Sequence, residues 1–486
     1  MKKIIFAILI TAGLTAIVAS CSDDFLDVRS TESIEGIDEF NNDAGAKSFV
    51  TAVYAKFLDW NVSSFSWNGI TSIASDDADK GSDPGDTGTD KQALDMLTHD
   101  ATSISVLELF EGCYQTVNRA NQALLYLPQL NNADPVLRAR LTGEVKFLRA
   151  LTYFNLVRVY GGVPIVDHVP GASQADLDMT LTAKTKQEVY DFIEQDLLAA
   201  IDALPEKSAY GAADIGRASK GAARGLLAKV YLYQQRWGDV ITQCEAITGY
   251  GLTPDYATIW RESQENNIES LFEIQGFGGD PSRGVEGYSL TQGGRGTSGW
   301  GWGFNIPSLS LVNTYEPGDV RKDATIIFAG ETLWDGRVVS SLIANPRYNE
   351  KAYASYTMET YNGNDNQTSK NIRVLRYAEV LLMLAEARNE IGGDAITPLN
   401  QVRNRAGLLN TTASGQAALR TAIWHERRVE LAFEHDRYFD LVRTGQAQAA
   451  FTADGKTFTI GKNELFPFPQ RFINEAGGKT AQNPGY

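Results

Sequence analysis

The sequence predicts a mainly α fold, a helical scaffold carrying a loop-rich lobe. Long stretches place apolar residues three to four apart and close on glycine or proline. They flank a segment, about 251–370, where the composition turns to Gly, Asn, Asp, Ser and aromatics. With 43% hydrophobic and 21% charged residues, the chain can bury a sizeable core as one large domain or two interlocked lobes.

The helical pattern runs from about 43 to 250 and again over about 371–445, and a tail occupies 446–486. Leu141, Val145, Leu148, Leu151 and Phe154 recur at helical spacing, and Gly161, Gly162 and Pro164 then stop that helix. A second unit spans 218–248, with GAARGLLAKVYLYQQRW, a break at Trp237-Gly238-Asp239, and VITQCEAI. A third covers 373–406 and turns through Gly392, Gly393 and Asp394. Ala223, Gly225 and Ala228 are small enough for close helix approach. Such pairs resemble tetratricopeptide units, in a degenerate form because their spacing is irregular.

The loop-rich segment holds a short strand pattern, LFEIQ at 271–275, and eleven glycines between Gly276 and Gly303. So many glycines remove helix propensity and mark a surface loop region. The acidic stretch Ser75–Lys91 has the same character, and both are expected to project from the scaffold as insertions.

At the start, Lys2 and Lys3, an apolar run from Ile4 to Val18, and Ala19-Ser20 precede Cys21. The pattern resembles a bacterial lipoprotein signal, residues 1–20 being the leader and Cys21 the acylated first residue of a mature domain over 21–486. A single acyl chain gives only marginal membrane binding, so anchoring generally takes more than one. With 60 acidic against 44 basic residues the net charge is −16, which argues against a nucleic-acid partner. Cys113 and Cys244 lie in helix-like stretches and are expected to be small buried apolar residues.

Six blocks carry a family resemblance: CSDDFLD at 21–27, FLRALTYFNLVRVYGGVPIV at 147–166, KGAARGLLAKVYLY at 220–233, NIRVLRYAEVLLMLAEARNE at 371–390, ERRVELAFEHDRYFDLVRTG at 426–445, and the tail ending QNPGY. In this order, behind a lipoprotein signal, they resemble the SusD/RagB family of outer-membrane lipoproteins. The resemblance implies a SusD-like scaffold of four degenerate tetratricopeptide pairs and a variable lobe bearing the ligand surface. It also implies a partner, a SusC-like TonB-dependent outer-membrane transporter on which the protein sits as a hinged lid. Oligosaccharides are the implied ligands, with peptides or glycoprotein fragments as the alternative.

Enzymatic motifs are weak. Gly294, Gly296 and Gly299 spell GxGxxG, but with neither a strand before nor a helix after. Gly478-Lys479-Thr480 mimics the end of a phosphate loop whose earlier glycine falls on Ile473. His425 and His435 are ten residues apart and miss the one-turn spacing of a helical zinc pair. Fitting a calcium loop from Asp79 puts Gly81 at a ligand position and Pro84 where glycine is required. Glu426, Glu430, Glu434, Asp436 and Asp440 lie among arginines and are expected to form structural ion pairs. No catalytic residue, metal or cofactor is therefore assigned, although two carboxylates across a sugar bond would suffice for a lipid-anchored glycoside hydrolase.

A shallow sugar-binding surface needs flat apolar faces for ring C–H groups and fixed partners for hydroxyls. Trp300 and Trp302, alternating with glycines, are the leading platforms, core packing in the lobe being the alternative; Trp67 is a third. Asp76, Asp77 and Asp79 are candidate hydroxyl acceptors, and Arg283 and Arg295 flank the aromatic loop as candidate forks. Tyr288 and Tyr315 are further aromatic candidates, and Arg376 and Tyr377 begin a helix that is expected to reach the same cleft. The expected function is capture of oligosaccharide at the cell surface and its delivery, without catalysis, to the transporter.

Overall fold

The computed structural model describes residues 37–486 apart from Pro84, Gly85, Thr87, Gly278, Pro281 and Ser282, so the acylation site expected at Cys21 lies outside the described residues. The scaffold helices include α1 (Asp43–Ala55), α2 (Ile104–Tyr126), α3 (Pro135–Tyr160), α4 (Lys186–Ala203), α5 (Lys220–Tyr233), α6 (Trp237–Glu245), α7 (Tyr377–Ile391), α8 (Ile396–Arg405), α9 (Gln416–Glu430) and α10 (Arg437–Arg443). Each packs on its chain neighbours: α3 against α1, α2 and α4, α5 against α4 and α6, and α7 against α6, α8 and α9. The mainly α architecture expected from the periodicity holds.

Local chemistry sets the boundaries. Asp134 caps α3 by accepting the Leu137 N–H at 2.8 Å, Pro135 occupies the first turn, and Gly161 ends the helix at φ +78°. Thr185 and Glu188 form a reciprocal capping box at the start of α4. Two expected boundaries shift. The turn between α5 and α6 falls at Gln234–Arg236, with Gln235 at φ +56°, and Trp237-Gly238-Asp239 forms the first turn of α6 instead of a break. Residues Ile372–Arg376 are a strand, not the start of a helix, because they pair along the 271–275 strand.

Among the described residues, strands form four antiparallel pairs: β1 (Ala78–Gly81) with β4 (Phe304–Pro307), β2 (Ser270–Ile274) with β8 (Ile372–Arg376), β3 (Val285–Glu286) with β7 (Gln367–Thr368), and β5 (Ile326–Phe328) with β6 (Arg347–Asn349). The β2–β8 pair lies under α5. A Cβ at Gly225 would stand 2.6 Å from Leu375 and 2.7 Å from Leu271, so the glycine permits approach to a sheet as well as to a helix. One continuous core joins the helices to this pair, and a smaller cluster around Trp300, Ile327 and Tyr348 fills the lobe. The start of the acidic stretch does not project. Ser75, Asp76 and Asp77 are buried and lead into β1, whose register with β4 sets Asp79 opposite Ile306.

Candidate ligand groove

Buried charge organises the body beneath the lobe. Arg376, at the end of β8, is buried against Glu269, Glu430 at 3.0 Å and Glu434 at 2.7 Å. Arg405 joins Glu269 and Glu430 from α8, and Arg321 reaches Glu426 at 2.6 Å and Glu430 at 3.0 Å from the lobe. Burial pushes the Glu430 carboxyl upward, but Arg405, Arg376 and Arg321 outweigh it and hold the group far below the ordinary carboxylate range. Arg437 grips both oxygens of Asp76 at 2.7 and 2.8 Å, and Arg428 takes Asp77 at 2.7 Å. The expected structural ion pairing is present. Glu434 binds Arg376 and Lys351, while Arg437 binds Asp76.

These contacts remove several candidates from any ligand surface. Asp76 and Asp77 are consumed by arginines and cannot accept sugar hydroxyls from solvent. Arg376 is the centre of the buried cluster. Trp67 is buried against Phe439 and His435, with the Arg158 guanidinium 5.7 Å from its ring. Tyr288 and Tyr315 are also buried; the Tyr315 hydroxyl reaches the Val429 carbonyl at 3.5 Å. Asp79 is half-buried in β1, its carboxyl raised first by burial and then by Asp95. Tyr377 is half-buried between two core clusters, as the start of a helix's packed face. Arg295 is half-exposed but engaged by Asp86 at 2.9 Å and Ser82 at 2.8 Å.

Trp300 and Trp302 diverge. Trp300 donates its backbone N–H to Gly294 at 2.7 Å and turns inward against Tyr348 and Tyr353, 8% exposed. Trp302 donates to the Leu290 carbonyl at 2.8 Å and faces out, 39% exposed. A Cβ at Gly301 would lie 2.4 Å from that same carbonyl, and Gly303 adopts φ +79°. Only glycine lets the loop lie this close to the short helix Tyr288–Gln292, and that approach fixes which indole faces water.

Around Trp302 stands an aromatic arc. Its ring centroid is 5.7 Å from Trp60 and 6.3 Å from Phe65, and Trp60 and Phe65 are 5.0 Å apart. Trp60 rests on Gly287, where a Cβ would meet the indole at 2.7 Å, and its backbone N–H donates to Glu286 at 3.1 Å. Glu286 also lines an open groove of about 840 Å³ between the end of α1, β2 and the β3–β7 pair. Phe277, 56% exposed, and Arg283, its side chain 70% exposed, stand on the rim. Asp59, Gln275 and Gln367 supply further polar edges. The arrangement offers flat apolar faces beside hydrogen-bonding groups, the requirements of a surface that holds a polar ring.

Of the candidates, Arg283 lines the groove and Trp302 joins the arc beside it. Trp60, Phe65, Phe277, Glu286 and Gln367 were not singled out. The available signal was the crowding of Trp60, Phe65 and Trp67 into eight residues with asparagine and serines between them, where long helical periodicity fails. Cys113 and Cys244 are buried, as expected, and both are free thiols; burial pushes the Cys113 thiol up to about 12. His435 lies in the turn before α10, bonded through Nδ1 to Thr71 at 3.0 Å, and does not approach His425 as a metal pair.

Fold and groove together define a mainly helical body with an aromatic-edged open groove. The chain belongs to the SusD family. The family's own profile, described as "SusD family", matches residues 268–486, and a second profile, described as "Starch-binding associating with outer membrane", matches 24–232. A solved laminarin-binding SusD-like protein is 30% identical, with a TM-score of 0.78 over 92% of this chain and 100% of that one. SusD-like protein P2 of Formosa agariphila is 29% identical over 83% of this chain and 86% of its own length. Surface glycan-binding protein A from Bacteroides thetaiotaomicron, solved with laminarihexaose, shares the fold at 24% identity, with a TM-score of 0.75 over 91% of this chain and 99% of that one.

Proposed function

We propose that the protein captures oligosaccharide on the arc of Trp60, Phe65 and Trp302 and along the adjoining groove, and passes it to a SusC-like TonB-dependent outer-membrane transporter as a non-catalytic lid. The observation that carries this reading is the outward-facing Trp302 beside an open groove with unburied Arg283 on its rim. Support for a glucan comes from the 30% identical relative, named for laminarin binding, and from the profile named for starch binding. Acylation of Cys21 would hold this body at the outer membrane, facing the cell surface, while leaving the groove free.

A soluble form starting at Ser22, titrated calorimetrically with laminarin, soluble starch and a tryptic peptide mixture, tests the ligand class. Saturable glucan binding that Trp302→Ala weakens is the expected result; binding of peptides alone overturns the sugar assignment and leaves the lid role standing. New reducing ends after incubation would instead establish hydrolysis. Metabolic labelling with a fatty acid, lost in Cys21→Ala, checks the anchor, and co-purification of a barrel transporter from detergent-extracted outer membrane checks the partner.

A further inference from the structure

A second cleft lies elsewhere in the molecule. It has a volume of about 340 Å³, within the ~300–1,000 Å³ range of small-molecule sites. It opens where the α5–α6 turn meets the ends of α7, α9 and α10, and it shares no lining residue with the groove. Two half-buried indoles, Trp237 and Trp424, line it. Its charges are already matched: Arg443 forks onto Glu386 at 2.7 and 2.9 Å, and the Arg420 Nε donates to Glu390 at 2.7 Å. The Trp424 N–H donates to Glu386 at 3.2 Å, which fixes the indole in place. Tyr233 also lines the cleft, and its hydroxyl is buried without a hydrogen-bond partner in the protein.

Closed off from the cleft, that hydroxyl is out of a ligand's reach, and Tyr233 offers only its ring. A charged ligand would have to displace an internal ion pair, whereas a neutral polyol can use the outer edges of both carboxylates. The indoles supply apolar faces for ring C–H groups. We infer that this cleft is a second carbohydrate site that takes the end of a neutral oligosaccharide, one or two hexose units, independently of the groove.

The test uses the soluble chain with Trp60→Ala and Trp302→Ala together, so that the arc is removed, and laminarihexaose and maltotriose as probes, read by saturation-transfer NMR. Saturable binding should persist and weaken at least tenfold on adding Trp424→Ala or Trp237→Ala. Circular dichroism identifies a variant that fails to fold, and Trp424→Phe then replaces it. Absence of saturable binding in the arc-less chain, or binding unchanged by the cleft substitutions, overturns the inference. If the arc substitutions alter nothing while the cleft substitutions abolish binding, the groove assignment fails and the cleft assignment stands.

Discussion

Trp300 and Trp302 sit two residues apart in a run of glycines, yet one plugs the core of the lobe and the other stands exposed in an aromatic arc. The same division separates the acidic residues. Asp76 and Asp77 are locked into arginine pairs inside the body, whereas Asp59 and Glu286 line the open groove. Composition is alike in each pair, so what differs is the partner that the fold delivers. A charged or aromatic residue is open to a ligand here only where tertiary neighbours leave one face unclaimed.

The sharpest break in this comparison is on the buried side. Arg376→Ala should strand Glu269, Glu430 and Glu434 without their shared cation and cost about 3–5 kcal/mol, read as a fall in the urea midpoint or as loss of soluble protein. Trp300→Ala should cost about 3 kcal/mol through a cavity in the lobe, measured by the same denaturation.

The buried side should also respond to pH. His99 stacks on Phe466 at 4.7 Å and meets the Tyr486 hydroxyl at 3.1 Å; burial, reinforced by Lys462 and opposed by Asp90 and Asp100, lowers its pKa to about 4. Its unfolded form takes up a proton near pH 6.5. The contribution is therefore present above that pH and is lost as pH falls toward the folded value. The buried carboxyls Glu350 and Glu379, raised by burial to about 7, act with the opposite sign, so the test must be differential. Relative to His99→Gln, the parent protein should lose about 2 kcal/mol of stability between pH 7 and pH 5, seen in paired urea titrations.

Effects on the open side should appear in binding and leave stability within ~0.5 kcal/mol. Trp302→Ala should weaken glucan binding about tenfold, or ~1.4 kcal/mol, by calorimetry. Arg283→Ala, which removes one rim group paired only at the surface with Asp280, should weaken it about threefold. An Arg283 variant that unfolds the lobe, or a Trp302 variant as destabilised as Trp300→Ala, would dissolve the distinction.

Much of the scaffold was legible because helix signals are local. The run from Leu141 to Phe154 and its Gly161 stop are short-range facts, and α3 follows them. The strand at Ile372–Arg376 was misread as helix because its partner, Ser270–Ile274, is remote in sequence and no local pattern reports a distant edge. The acidic stretch looked like a solvated loop for the same reason: Arg428 and Arg437, about 350 residues later, decide that Asp76 and Asp77 are buried. Trp60 and Phe65 gained their role from Trp302 and Gly287, again across more than 200 residues.

The sequence by itself determined the family, the helical scaffold and the residue types available to a binding surface, because periodicity, caps and ordered blocks are written along the chain. Tertiary structure alone decided which aromatics and charges reach solvent. Burial and pairing depend on what long-range contacts bring alongside, and residues of one chemical type, Trp300 and Trp302 among them, end in opposite environments.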